Sequence, residues 1–264
     1  MKRLILQGFI TVVLFFSIWY LLRQIDWMTF FKVEKRTNDI EQKLGDLFWD
    51  SFTATGKENN DVFLLKSMDS ILTRLCTSNN IDKEHIKLHV LNEDAINAFA
   101  LPDGHLVVYS GLILDNDSPE ELSGVIAHEL AHVELDHVMK KLVKEVGLSI
   151  LISMTTGGGG SETIKGTAKM LSSTAFDRGM EKEADLTAVD YLNNANISAE
   201  PLANFFYKIS DDENEIFTYL SWLSTHPDTK ERAEYIIEQN NDSLETKPII
   251  SENTWTKLKA ILEE

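Results

Sequence analysis

Apolar and polar residues alternate along this chain with three different rhythms. The first is a continuous apolar run from Leu4 to Leu22, broken only by Gln7, Gly8, Thr11 and Ser17. Nineteen residues at about 1.5 Å each nearly match a hydrocarbon core of roughly 30 Å. Lys2 and Arg3 precede the run, and no small-x-small cleavage pattern follows it, so it reads as an uncleaved anchor rather than a removed signal peptide. Trp19, Tyr20 and Trp27 suit the membrane interface. Arg23, Lys32, Lys35 and Arg36 after the run favour a cytoplasmic C-terminal side, but Lys2, Arg3 and the amino terminus abut it more closely. The expectation is a single-pass protein with its main domain on the exported side.

The second rhythm is helical. Ile40, Leu44, Leu47 and Phe48 predict an amphipathic helix over Val33 to Phe52, and Val62 to Cys76 repeats that spacing after a polar loop. Further helices are predicted over Thr163 to Ala175, Asp177 to Leu192 and Ser198 to Ile209, and from His226-Pro227 to about Glu238. A short one spans Trp255 to Leu262, after a polar tail from Asn240 to Pro248. Val146 to Met154 is apolar but too short to cross a bilayer. Gly157 to Gly160 then interrupts the chain as a linker or a mobile flap.

The third rhythm has period two. Ile86 to Val90 reads as a half-buried strand, and Asn97 to Gly104 with Leu106 to Tyr109 reads as strand, turn, strand. Pro102 confines its strand to a sheet edge, which is either a plain hairpin or a place where an extended peptide can pair. The pattern predicts an α+β fold, mostly helical with a small sheet. The expected division is an anchor at 1–25, an amphipathic helix and linker at 26–61, the main domain at 62–240 and a tail at 241–264.

The formal charge of −17 argues against a nucleic-acid partner, which would be repelled, and against electrostatic binding to anionic lipid. Cys76, the one cysteine, forms no internal disulfide, and its neighbours Ile71, Leu72 and Leu75 predict a buried thiol.

The candidate chemistry sits in His128-Glu129-Leu130-Ala131-His132, a full match to H-E-x-x-H. Ser118 is placed to cap its helix, Pro119-Glu120-Glu121 to open it, and Leu122, Val125, Ile126, Leu130 and Val133 to bury one face. Residues four apart share a helix face, so His128 and His132 can offer two imidazole nitrogens to one zinc ion. Glu129, one step round, can take a proton from water and pass it to a leaving amine. His137 lies about 140° from His132 on a straight helix, out of reach of that ion, and is expected on the helix surface or behind the ligands. Glu181 is the candidate third ligand, because Asp185 four residues later can hold a ligating imidazole by its second nitrogen. His226 is either a helix-start residue or a donor to the oxyanion of a tetrahedral intermediate. In a resting enzyme the same ring can fill the fourth position on the ion.

Together with Asn97 to Gly104, Arg178-x-x-Glu181-x-Glu183-Ala184-Asp185 and Thr225-His226-Pro227 with Arg232, this order of motifs resembles the zinc metallopeptidases of family forty-eight. That group of gluzincins includes HtpX-type, BepA-type, Oma-type and CAAX prenyl proteases. The resemblance runs from about Val62 to Gln239. It implies one zinc per chain on His128, His132 and Glu181, catalytic Glu129 and His226, and supporting Asp185 and Arg178. It also implies a substrate-binding edge strand at Asn97, Ala98, Phe99 and Ala100. Asp103 departs from the pattern, standing where a glycine is usual. The expected activity is endopeptidase cleavage of protein or peptide substrates in protein quality control. The rival is a zinc-stabilised module that holds unfolded or membrane proteins along the strand without cutting.

Overall fold

The computed structural model describes residues 33–54, 57–211, 218–227, 229–241, 243 and 245–263. The predicted anchor at Leu4 to Leu22 lies outside them, and among the described residues no helix is long and apolar enough to cross a membrane. By packing, the chain divides into two compact units, 1–40 and 41–264. Of the first, the described part is the opening of helix α1 (Val33–Thr53). Everything below concerns the second.

Its sheet has three strands, β1 (Lys87–Leu91), β2 (Ala98–Leu101) and β3 (His105–Tyr109), in the order β1-β3-β2. β1 runs parallel to β3, and β2 pairs antiparallel with it through Ala98 opposite Val108 and Leu101 opposite His105. The edge position expected from Pro102 is therefore observed. The turn after β2 carries Asp103 at φ 60° and Gly104 at φ 69°. A short polar side chain tolerates that left-handed conformation, so aspartate can stand in for the usual glycine. At Gly104 it cannot, since a Cβ there would lie 1.9 Å from the His85 carbonyl oxygen.

Alternation assigns the two faces of the sheet. Val90, Ala98, Leu106 and Val108 enter the main core, while α1 covers the other face with Trp49 stacked on His89 and Phe52 tilted against Phe99. Beneath Trp49 runs a chain of polar contacts. Lys87 Nζ donates to His105 Nε2 (3.1 Å), His105 Nδ1 meets His89 Nε2 (3.1 Å), and His89 Nδ1 meets Glu58 (3.0 Å). Leu44 and Phe48 of α1 are fully buried, so packing does not divide at residue 62, and this helix belongs to the domain from residue 41 onward.

The core is built by helices α2 (Val62–Ser78), α3 (Ser110–Asp115) and α4 (Pro119–Glu134). Ser118 Oγ accepts from the Glu121 N–H at 3.1 Å, and Pro119 and two glutamates fill the first turn of α4. Every residue from Glu121 to His132 is buried. Three helices follow, α5 (His137–Glu145), α6 (Leu148–Thr155) and α7 (Ser161–Leu171). The glycine run is the turn between α6 and α7, with Gly158 and Gly159 N–H groups donating to the Ser153 carbonyl.

The long helix α8 (Arg178–Asn194) packs along α4. After it come α9 (Glu200–Asp211), α10 (Leu220–Thr225), α11 (Thr229–Gln239) and α12 (Glu252–Glu263). Gly124 allows α4 and α9 to approach, since a Cβ there would sit 2.6 Å from Leu202 Cβ. The C-terminal segment is likewise part of the domain. Trp255 and Leu258 of α12 enter the core, and the Arg74 guanidinium binds the carbonyls of Ala195, Lys247 and Pro248.

Candidate metal centre

Helix α4 presents His128 and His132 one turn apart, α8 brings Glu181 to face them, and the turn after α10 delivers His226. All four are buried, and their donor atoms converge. His128 Nε2 lies 3.1 Å from His132 Nε2 and 3.3 Å from His226 Nδ1. The Glu181 carboxylate lies 3.6 Å from His128 Nε2, 3.5 Å from His132 Nε2 and 3.1 Å from His226 Nδ1. A tetrahedral ion with ligands at about 2.0–2.1 Å has ligand–ligand edges of about 3.3–3.4 Å. The five measured edges bracket that length, so the donor set fits one ion the size of zinc.

Charge supports the same fit. Three buried carboxylates, Glu129, Glu181 and Asp185, face two buried cations, Arg232, which contacts the last two, and Lys141. Buried charge without a partner is expensive, and a dication supplies what is missing. Both Glu129 oxygens and His226 Nε2 lack an aligned hydrogen-bond partner, although Glu129 Oε1 and His226 Nε2 approach to 3.1 Å. Burial alone raises the Glu181 and Asp185 carboxyls. The cations around them reverse this, His226 and Arg232 for Glu181, Arg232 and His128 for Asp185, and hold both below the usual carboxylate range. Burial pushes His132 down to about 4, whereas at His128 burial is outweighed by the Asp185 carboxylate, which raises the ring to about 9, so a metal bound there displaces a proton.

Asp185 stands behind His128, its Oδ1 2.9 Å from Nδ1 but off the line a hydrogen bond prefers. Arg232 grips it with two N–H donors, each at 2.7 Å, and reaches Glu181 at 2.7 Å with a third. The Tyr235 hydroxyl also donates to Asp185. Arg178 is exposed at the start of α8 and lines a cavity of about 290 Å³ with Glu181, Lys182, Pro227, Arg232 and Tyr235.

His137 is not where a straight helix would put it. Asp136 takes a left-handed conformation (φ 57°), α4 ends, and α5 starts in a new direction. His137 is fully buried, its Nδ1 3.0 Å from His132 Nδ1 and its Nε2 3.3 Å from Glu183. It backs a metal-facing histidine and stays outside the donor set, and the surface alternative is excluded. Two aromatic walls had no sequence signal. Phe176 stacks on His132 at 4.0 Å, and Trp222 lies 4.4 Å from His226.

Asn97, Ala98, Phe99 and Ala100 are all buried beside this site. Asn97 donates to the Ser172 carbonyl at 3.3 Å and meets Thr225 Oγ1, next to His226, at 3.4 Å. Helix α7 packs against β2, and among the described residues no strand pairs with the second edge of β2. A second group of possible ligands, Asp46, Asp103 and His105, carries no assignment here, because the Lys87 ammonium already contacts Asp103 and His105.

A buried two-histidine, one-carboxylate cluster with an acid beside it, framed by packed helices and an edge strand, is a metallopeptidase-type arrangement of donors. The chain belongs to Peptidase family M48, whose family model matches residues 65–239. It is 27% identical over 201 residues to the beta-barrel assembly-enhancing protease of Yersinia pestis, covering 72% of this chain and 41% of that protein. It is 31% identical over 164 residues to metalloprotease LoiP of Escherichia coli, covering 60% and 64%. With the mitochondrial metalloendopeptidase OMA1 of Schizosaccharomyces pombe it shares 26% identity over 201 residues, covering 73% and 58%. The chain spans less than half the length of the assembly-enhancing proteases it matches.

Proposed function

We propose that this chain is a membrane-anchored zinc endopeptidase that cleaves protein substrates in protein quality control, with its catalytic domain on the exported side. The observation that carries the reading is the closure of the His128, His132 and Glu181 donors around one tetrahedral centre, with Glu129 buried against it. Zinc held there supplies Lewis acidity to the scissile carbonyl and the attacking water. Glu129 takes the proton from that water and returns it to the leaving amine. The other residues hold the frame. Asp185 and His137 fix the two ligating rings from behind, and Arg232 fixes Asp185 and Glu181 relative to one another.

His226 occupies two places at once. Its Nδ1 sits at the fourth vertex and its Nε2 faces Glu129, so in this arrangement it blocks the open position and engages the base. We read this as the resting state, from which His226 swings away to face the substrate oxyanion. Asn97 to Ala100 is the proposed substrate strand, reached once α7 moves from β2. A closed four-donor set is also the structural pattern of zinc, and that observation favours the rival, a zinc-stabilised holdase. Glu129 separates the two, since a structural site has no use for a buried carboxylate beside it.

Casein digestion with and without chelator is the test. Activity lost with chelator and restored by zinc is expected, and Glu129→Gln should keep the metal while losing at least about 10² in rate. Undiminished turnover in that variant would refute the proposed base, and absent turnover in the zinc-loaded wild type would favour the holdase.

A further inference from the structure

Among the described residues seven large hydrophobic side chains are exposed, and four of them fall within ten positions. They are Val143 on α5 and Leu148, Ile150 and Ile152 on α6, each 40% to 51% exposed. At about 100° per residue the three on α6 spread across some 200° of the helix circumference, while Leu151 and Met154 point into the protein. A helix that docks in a protein groove concentrates its apolar residues in a stripe of about 100°. Here Leu148 and Ile152 lie at one edge of the outward half and Ile150 at the other, with Ser149 and Ser153 between them, so the face carries no charge across its width.

Charge is distributed around this face in a matching way. No charged residue occurs from Val146 to Ser161. From Lys140 to Asp177, five lysines stand against three acids in a chain whose net charge is −17. Lys140, Lys144, Lys165 and Lys169 are exposed on the two helices that flank α6, with Lys144 also pairing with Asp177 at 2.8 Å and Lys165 with Glu162 at 3.9 Å. An uncharged apolar helix framed by lysines fits a surface that is apolar inside and anionic at its rim.

We propose that α6 enters one leaflet of a membrane containing anionic lipid, with the flanking lysines at the headgroups. Eight residues extend only about 12 Å, too short to cross but sufficient to lie in the boundary between headgroups and acyl chains. This reverses, for one segment, the conclusion drawn from whole-chain charge. It also places the candidate metal centre against the bilayer. Helix α5, which carries the base of the patch, touches the site through His137 on His132, and Lys141 lies over the Phe176 ring that stacks on His132.

The inference presumes a bilayer, as the anchor reading does, and its test separates the two. The full chain carrying Ile150→Cys is labelled with a polarity-sensitive fluorophore and reconstituted into vesicles of phosphatidylcholine and phosphatidylglycerol. Cys76 is fully buried and does not compete for label. Ser70→Cys, exposed on α2, serves as the reference. Flotation with the vesicles reads the anchor, and quenching by a lipid-borne spin label reads α6. The expected result is strong lipid quenching and protection from aqueous iodide at position 150, with the opposite at position 70. A floating chain whose position 150 responds to iodide as position 70 does would overturn the proposal and leave the anchor standing. A label hidden from iodide but not reached by the lipid quencher would assign the face to a protein partner or a second copy, and overturn it equally. A chain that does not float refutes both.

Discussion

Replacing Arg232 with methionine tests whether the acidic frame of the site is held by this one cation. The methionine keeps the apolar stem that lies under the guanidinium, which sits 4.4 Å from the Phe206 ring, so the packing loss is small. The electrostatic loss is not. Two N–H donors to Asp185 and one contact to Glu181, all at 2.7 Å, vanish together, leaving two carboxylates in a buried setting. Removing one partner from a buried pair costs about 3–5 kcal/mol, a factor of about 10²–10⁴ in the unfolding constant. Urea unfolding of chelator-treated protein reads this directly. With zinc bound, the dication offsets part of the same charge, so the loss should shrink in the loaded protein. Adding Asp185→Asn to Arg232→Met should cost less than the two single changes summed, because one orphaned charge is removed. A metal-free loss below about 1 kcal/mol, the value of an exposed pair, would refute the reasoning.

Glu181→Gln should abolish stoichiometric zinc in the purified protein, and full occupancy by metal analysis would remove this residue from the ligand set. His226→Phe should keep zinc and lower casein turnover by about 10²–10³, because the ring that swings to the oxyanion is lost. A rise would assign the ring only to blocking the fourth vertex and the base. For pH, burial and then the neighbouring Lys87 and His89 push the His105 imidazole down to about 4. The unfolded chain binds this proton near pH 6.5, so stability is full above that value and falls as pH drops towards 4. The loss reaches at most about 3 kcal/mol, and His105→Gln should flatten the slope in pH-dependent urea titrations. A slope that survives the substitution would place the acid sensitivity elsewhere.

What the sequence makes legible here is what depends on neighbours along the chain. Ser118, Pro119 and Glu121 announce the start of α4 because capping is local, and His128 with His132 shares a face because helix periodicity is local. Glu181 and Asp185 are found by the same four-residue spacing. Residues whose roles arise between distant elements escape. Arg232 stands out in the sequence only as part of the motif after His226, and the packing of α11 on α8 is what reveals it as buried. Arg178, which sits in the more suggestive sequence context, is the exposed one. His137 is misplaced by a single left-handed aspartate, with no glycine or proline to mark the break. Segment boundaries fail for a related reason. α1 and α12 look like appendages in their own windows, yet each contributes buried side chains to the domain. Net charge is the least local quantity of all. A value of −17 describes the chain's average, but binding is decided within about a Debye length of the surface concerned. On that scale the exposed lysines on the helices beside α6 outweigh the chain's average, and the buried Glu129, Glu181 and Asp185 set the negative charge that a cation held there would offset.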